Sequence, residues 1–173
     1  MTDAITKAKR TIAGLTISLG AQTLRNDFVK FPVSQITGKQ ITDACNKIGI
    51  TNTQLDVSYF SVSWDDYKEI LDTLYGVVKN FKWTEDKYDC DNRSMLLSSL
   101  VSLTAILNTC AGLYCEVKTA NGASFRHWAN LVIDKNGELY IFDCDNGGLN
   151  QKLTSKNFTM GAWTYELLNT RIG

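Results

Sequence analysis

From Asn92 to Asn108 the chain reads NRSMLLSSLVSLTAILN, a stretch of helix-forming residues broken only by Ser and Thr once Arg93 is passed. Its pattern predicts a helix that begins near Asp89 or Cys90 and is apolar nearly all round. Such a helix belongs at the centre of a domain, covered on most sides. The rest of the chain has to be arranged around it.

Beyond the helix the pattern changes period. GLYCEVKT (112–119), SFRHWANLVID (124–134), ELYIFDC (138–144) and AWTYELLN (162–169) are rich in β-branched and aromatic residues and read as strands. DKNGE between the second and third reads as a hairpin turn. Before the helix the signals are helical. Thr37 and Gln40 make a capping box ahead of GKQITDACNKIG, which Gly49 ends. Ser63 with Asp66 opens WDDYKEILDTLYGVVKN, where Tyr67, Ile70, Leu71, Leu74 and Val78 form one apolar face. The expectation is an α+β domain: a central buried helix packed on an antiparallel meander, with a mostly helical N-terminal half. Residues 1–62 read as helical cover or extension and 63–173 as the core, together one unit.

Charge narrows the functions available. Lys plus Arg and Asp plus Glu balance at 18 each, with no basic cluster, which disfavours nucleic acid and acidic membranes as partners. No run reaches the length of a membrane span. Lys7, Lys9 and Arg10 precede TIAGLTISLGA, but Thr11, Thr16 and Ser18 dilute the apolar part and Asp3 lies in the basic part. This reads as a first helix leading into a strand rather than as a signal peptide. Five cysteines, an odd number unevenly spaced, suit a reducing compartment better than a disulfide framework.

The tetrad Asp-Cys-Asp-Asn occurs twice, in YDCDN at Tyr88–Asn92 and FDCDN at Phe142–Asn146. Only the first copy puts its cysteine at a helix start, where free amides and the helix dipole stabilise a thiolate and can hold an oxyanion. Cys90 is thus the candidate nucleophile, with Asp89 as N-cap, and Cys144 reads as an ordinary thiol. His127 is the chain's one histidine. A three-residue loop Lys135–Gly137 with Gly137 left-handed would set His127 opposite Asp145, with Asp143 diagonally adjacent. A two-residue loop would instead bring Asn146 and Cys144 to its face. A zinc set of Cys110, Cys115 and His127 lacks the paired knuckles of such sites. The acidic positions of DKNGELYIFD do not fit a calcium loop.

A cysteine at a helix start, then histidine and an acid on neighbouring strands, resembles the transglutaminase-like branch of the papain-like cysteine-protease superfamily. YDCDN, RHWANLVID and YIFDCDN are most similar to the "DCD" proteins of phages and of the C-terminal domain of fungal agglutinins. The resemblance spans about residues 64 to 150. It implies a cysteine hydrolase or acyl transferase acting on a protein or peptide, with Cys90 as nucleophile, His127 as base and Asp143 as orienting acid. Asp145 and Asn146 are the substitutes for the third role. It implies no required cofactor, a divalent cation at Asp89 and Asp91 if one is used, and a cytoplasmic (host-cell, if viral) or virion-associated setting. Arg93 and Ser94 depart from the family's pattern, and no glutamine lies close before Cys90. That motivates the alternative expectation, a catalytically silent fold serving as a phage structural or host-factor-binding module.

Overall fold

Two layers of helix and hairpin enclose one twisted sheet in the computed structural model, which describes residues 19–82, 84 and 89–172. The order is α1 (19–28), β1 (Ser34–Thr37), α2 (Gly38–Ile48), β2 (Thr51–Gln54), β3 (Ser58–Ser61), α3 (Trp64–Val78) and α4 (Cys90–Leu100). A short π-helical segment, Val101–Ala105, extends α4. The strands β4 (Cys110–Thr119), β5 (Ser124–Ile133), β6 (Leu139–Asp143), β7 (Leu149–Lys152), β8 (Asn157–Met160) and β9 (Trp163–Ile172) follow.

The main sheet has seven strands in the order β2-β9-β4-β5-β6-β7, with β8 on β9, while β1 and β3 form a separate pair. Every pairing is antiparallel except β2 with β9. Strand residues alternate between two cores. Leu113, Cys115, Leu131 and Ile141 face α2, Ile36 and Tyr59. Cys110, Val132, Tyr140 and Phe142 face Phe28, the apolar stripe of α3, and Leu97 and Val101. Both sheet faces are therefore dry, which is why β6 is buried at all five positions.

The predicted caps form as expected. Thr37 and Gln40 complete a capping box, Gly49 ends α2 in the left-handed region, and Ser63 accepts from Asp66 at the start of α3. Tyr67, Ile70, Leu71, Leu74 and Val78 are all buried.

Three expectations are corrected. The N-terminal half is not mostly helical, because β1, β2 and β3 lie in it and β2 joins the main sheet. These strands are only four residues long and β2 is wholly polar, so pairing with distant partners makes them strands. The helix after Asp89 is covered on one side only. Met95, Leu103 and Ile106 are exposed, and Ser94, Leu97, Val101 and Thr104 carry the contact. The meander runs from β4 to β7, but the chain then returns and places β9 against β4. The proposed reading of residues 7–18 lies outside the described residues.

Ile106 ends the π-helical segment with φ of 58°, the one non-glycine residue among those described in the left-handed region. A β-branched side chain there is strained by about 1–2 kcal/mol. The side chain is about half exposed, so little burial opposes its removal. Ile106→Gly is expected to raise the unfolding free energy by about 1 kcal/mol in urea denaturation.

Candidate functional site

The hairpin turn sets the site. Gly137 has φ of 77°, and the Asp134 amide donates to the Glu138 carbonyl, so Lys135–Gly137 form the three-residue loop. The register that follows pairs Asn130 with Phe142 and Ile133 with Leu139. β6 stops at Asp143 while β5 continues outward, leaving His127 beyond the end of that ladder. The turn after β6 and the first residues of α4 fill the gap.

Asp143 is fully buried and meets four donors. Its Oδ2 accepts from His127 Nε2 at 2.9 Å and from the Tyr165 hydroxyl at 2.7 Å. Its Oδ1 accepts from the backbone amides of Asp145 at 2.9 Å and Asn146 at 3.2 Å. Burial acts to raise the Asp143 pKa, but the hydrogen bond and charge of His127, then Tyr165, hold it below the ordinary carboxylate range. Asn146 Nδ2 donates to the Tyr165 hydroxyl at 3.0 Å, so an Asn146–Tyr165–Asp143–His127 chain runs across three elements. Gly148 closes the turn by donating to the Asp143 carbonyl. A Cβ at that position would meet the Tyr75 ring at 2.8 Å.

His127 is 2% exposed. Burial lowers its pKa, yet the hydrogen bonds the ring makes to Asp143 and Cys90 and their charge interactions outweigh it and raise the pKa to about 9. The shift favours the imidazolium form at neutral pH. Cys90, at the start of α4, and Asp145 place a sulfur and a carboxylate oxygen with the ring so that all three ligand atoms lie within 4.8 Å of one another. Arg93 pairs with Asp145 and also donates to the Phe81 carbonyl at 2.9 Å. Ser94 donates to the Ala129 carbonyl at 2.8 Å. The two residues that departed from the expected pattern therefore tie α4 to the turn and to β5.

The structure thus brings together Cys90, His127 and Asp143, and gives Asp143 rather than Asp145 or Asn146 the bond to the ring. Asp145 belongs to Arg93 and Asn146 to Tyr165. Asp89 and Asp91 share a hydrogen bond that, together with burial, raises the Asp91 pKa. Cys144 is buried. Burial pushes the Cys45 thiol to about 11 and Cys110 to about 12, and raises Cys115 and Cys144 further. The zinc set is not assembled, because Cys110 and Cys115 lie an odd number of residues apart on β4 and enter opposite cores.

Sequence reasoning missed the aromatic corner beside the cluster. Trp163 meets Phe125 edge to face at 5.5 Å and His127 at 5.4 Å, and Phe125 meets His127 at 6.0 Å. Phe125 keeps 39% of its surface exposed and Trp163 is half-buried. Phe125 and His127 share a sheet face by their spacing of two, a signal legible in the chain. The placement of Trp163 and Tyr165 depends on β9 pairing with β4.

No family model and no curated protein matches the chain. Solved structures do. A PSL1a–E64 complex superposes with a TM-score of 0.54 at 13% identity, over 79% of this chain and 51% of that one. Polyporus squamosus lectin, bound to the human-type influenza-binding epitope Neu5Acα2-6Galβ1-4GlcNAc, superposes with a TM-score of 0.52 at 14% identity, over 79% and 49%. At these identities the likeness is one of fold, and the chain spans about half the length of each. Neither is named as a transglutaminase-like or papain-like protein. The expected membership in that superfamily, and the cysteine hydrolase or acyl transferase function it implied, are corrected accordingly. One of the two is named as a lectin. No helix among the described residues is long and apolar enough to cross a membrane.

Proposed function

We propose that the chain is a ligand-binding module that seats a glycan in the corner formed by Phe125, Trp163 and His127, with Cys90 at its polar edge and the buried Asp143 holding the His127 ring in place. The observation that carries this reading is the corner itself. Three rings stand nearly perpendicular beside a charged, hydrogen-bonded cluster, and Phe125 remains open to solvent. Apolar ring surface with a few fixed polar groups is the composition of a small-molecule seat. A sugar offers the complement, a C–H face for the rings and hydroxyls for the polar groups. The lectin neighbour supplies the ligand class. The interaction-module alternative survives in this form, with a glycan in place of a phage or host factor.

The test is calorimetric titration of the chain with Neu5Acα2-6Galβ1-4GlcNAc and with Galβ1-4GlcNAc. Saturable binding to either is expected, weakened about tenfold or more by Trp163→Ala, equivalent to about 1.4 kcal/mol. Absence of binding to both sugars, or binding indifferent to Trp163→Ala, would overturn the proposal. E64, the compound in complex with the other neighbour, is the control. A chain that takes E64 but neither sugar has a site here and a different ligand.

A further inference from the structure

We propose that Cys90, His127 and Asp145 form a binding site for zinc or a similar soft divalent transition-metal ion. Among the described residues this is the one group of three Cys, His, Asp or Glu side chains whose ligand atoms converge, all within 4.8 Å of one another. The donors are a thiol, an imidazole nitrogen and a carboxylate oxygen, each a known zinc ligand, and sulfur with nitrogen disfavours calcium or magnesium. Three protein donors leave a fourth tetrahedral position for water or a ligand. Zinc bonds of about 2.0–2.3 Å require the three atoms to draw together by about 1 Å. Cys90 and Asp145 are only partly buried, on a helix start and in a turn, and can make that adjustment.

The surroundings provide an independent reason. A metal-bound histidine ordinarily donates its other ring N–H to a carboxylate, which fixes tautomer and ring orientation. His127 already does so. Its Nε2 is held by Asp143 at 2.9 Å, and Asp143 is held in turn by Tyr165 and two backbone amides. Nδ1 is then the nitrogen for the metal, which must displace the proton it carries. Arg93 bonds Oδ1 of Asp145, orienting that carboxylate and leaving Oδ2. The second shell of a metal site is thus built around all but the thiol. This site is separate from the acidic pair Asp89 and Asp91 and uses neither.

Cobalt(II) is the probe, because a thiolate bound to it gives a near-ultraviolet charge-transfer band and tetrahedral coordination gives strong visible bands. Titration of the reduced full chain is expected to produce both at one equivalent, and zinc is expected to abolish them. Cys90→Ala should remove the charge-transfer band. Asp145→Asn should weaken binding at least tenfold, and Asp89→Asn with Asp91→Asn should leave it unchanged. Zinc should also protect Cys90, read by peptide mass spectrometry, from iodoacetamide. Cobalt binding without the thiolate band in the unmutated chain would overturn the proposal whatever the variants do. So would stoichiometric binding that survives both Cys90→Ala and Asp145→Asn with circular dichroism unchanged. None of these readouts involves a sugar, so the site and the glycan reading stand or fall separately.

Discussion

Asp143→Ala is expected to lower the unfolding free energy by about 3–5 kcal/mol at pH 5, the range for removing one partner of a buried ion pair. The carboxylate sits at 0% exposure, and no water can replace it at once for His127, Tyr165 and two turn amides. His127 can escape part of the loss by giving up its proton, which is easier at higher pH. The deficit should therefore be larger at pH 5 than at pH 8. Asp143→Asn keeps the shape and acceptors for the turn amides but not the charge, and should cost less. Urea denaturation of the three proteins at both pH values measures this. A deficit for the alanine variant below about 1 kcal/mol, or one independent of pH, would show that the His127–Asp143 pair does not hold this corner together.

The second large effect is on stability against pH. His127 moves from its ordinary value of 6.5 to about 9 on folding. The folded chain therefore holds the proton more tightly than the unfolded chain. The resulting stabilisation is fully present below 6.5 and is lost as pH rises through about 9. At roughly 1.4 kcal/mol per pH unit it amounts to about 3 kcal/mol. Asp143 acts in the opposite sense, its depressed pKa giving stability that fades as pH falls below the ordinary carboxylate range. Stability should peak between about pH 4.5 and 6.5. Because the chain has a single histidine, its imidazole signal in a proton NMR titration reports this group alone. A midpoint near 6.5, or a His127→Gln protein with the same fall in stability between pH 6.5 and 9, would defeat the assignment.

Much of the cluster was legible because it depends on local rules. A glycine at the third position of a short loop fixes the β5–β6 register, and with it which acid His127 can reach. Helix caps fixed the starts of α2 and α3 in the same way. Long-range pairing was not legible. Nothing in TNTQ marks it as a strand until β9 lies parallel beside it, so the N-terminal half looked more helical than it is. Tyr165 and Trp163 were ordinary strand aromatics until β9 crossed beside β4 and set them around His127 and Asp143. The breadth of the apolar helix misled for a related reason. Hydrophobicity on its outer side, at Met95, Leu103 and Ile106, is left in water rather than covered. Function was least legible, because the same three residues suit a nucleophile's triad, a metal's donors or the floor of a binding seat.

The position of β9 also governs the order of assembly. It lies between β2 and β4 and carries β8, yet it follows all of them along the chain. Until it pairs, β4 has a bare edge beside Leu113, Cys115 and Val117, an inviting template for another chain. The parallel contact with Thr51–Gln54 must then close about two thirds of the chain's length. Such a topology folds slowly, and until β9 is in place the edge of β4 stays open to pairing with a strand from another molecule.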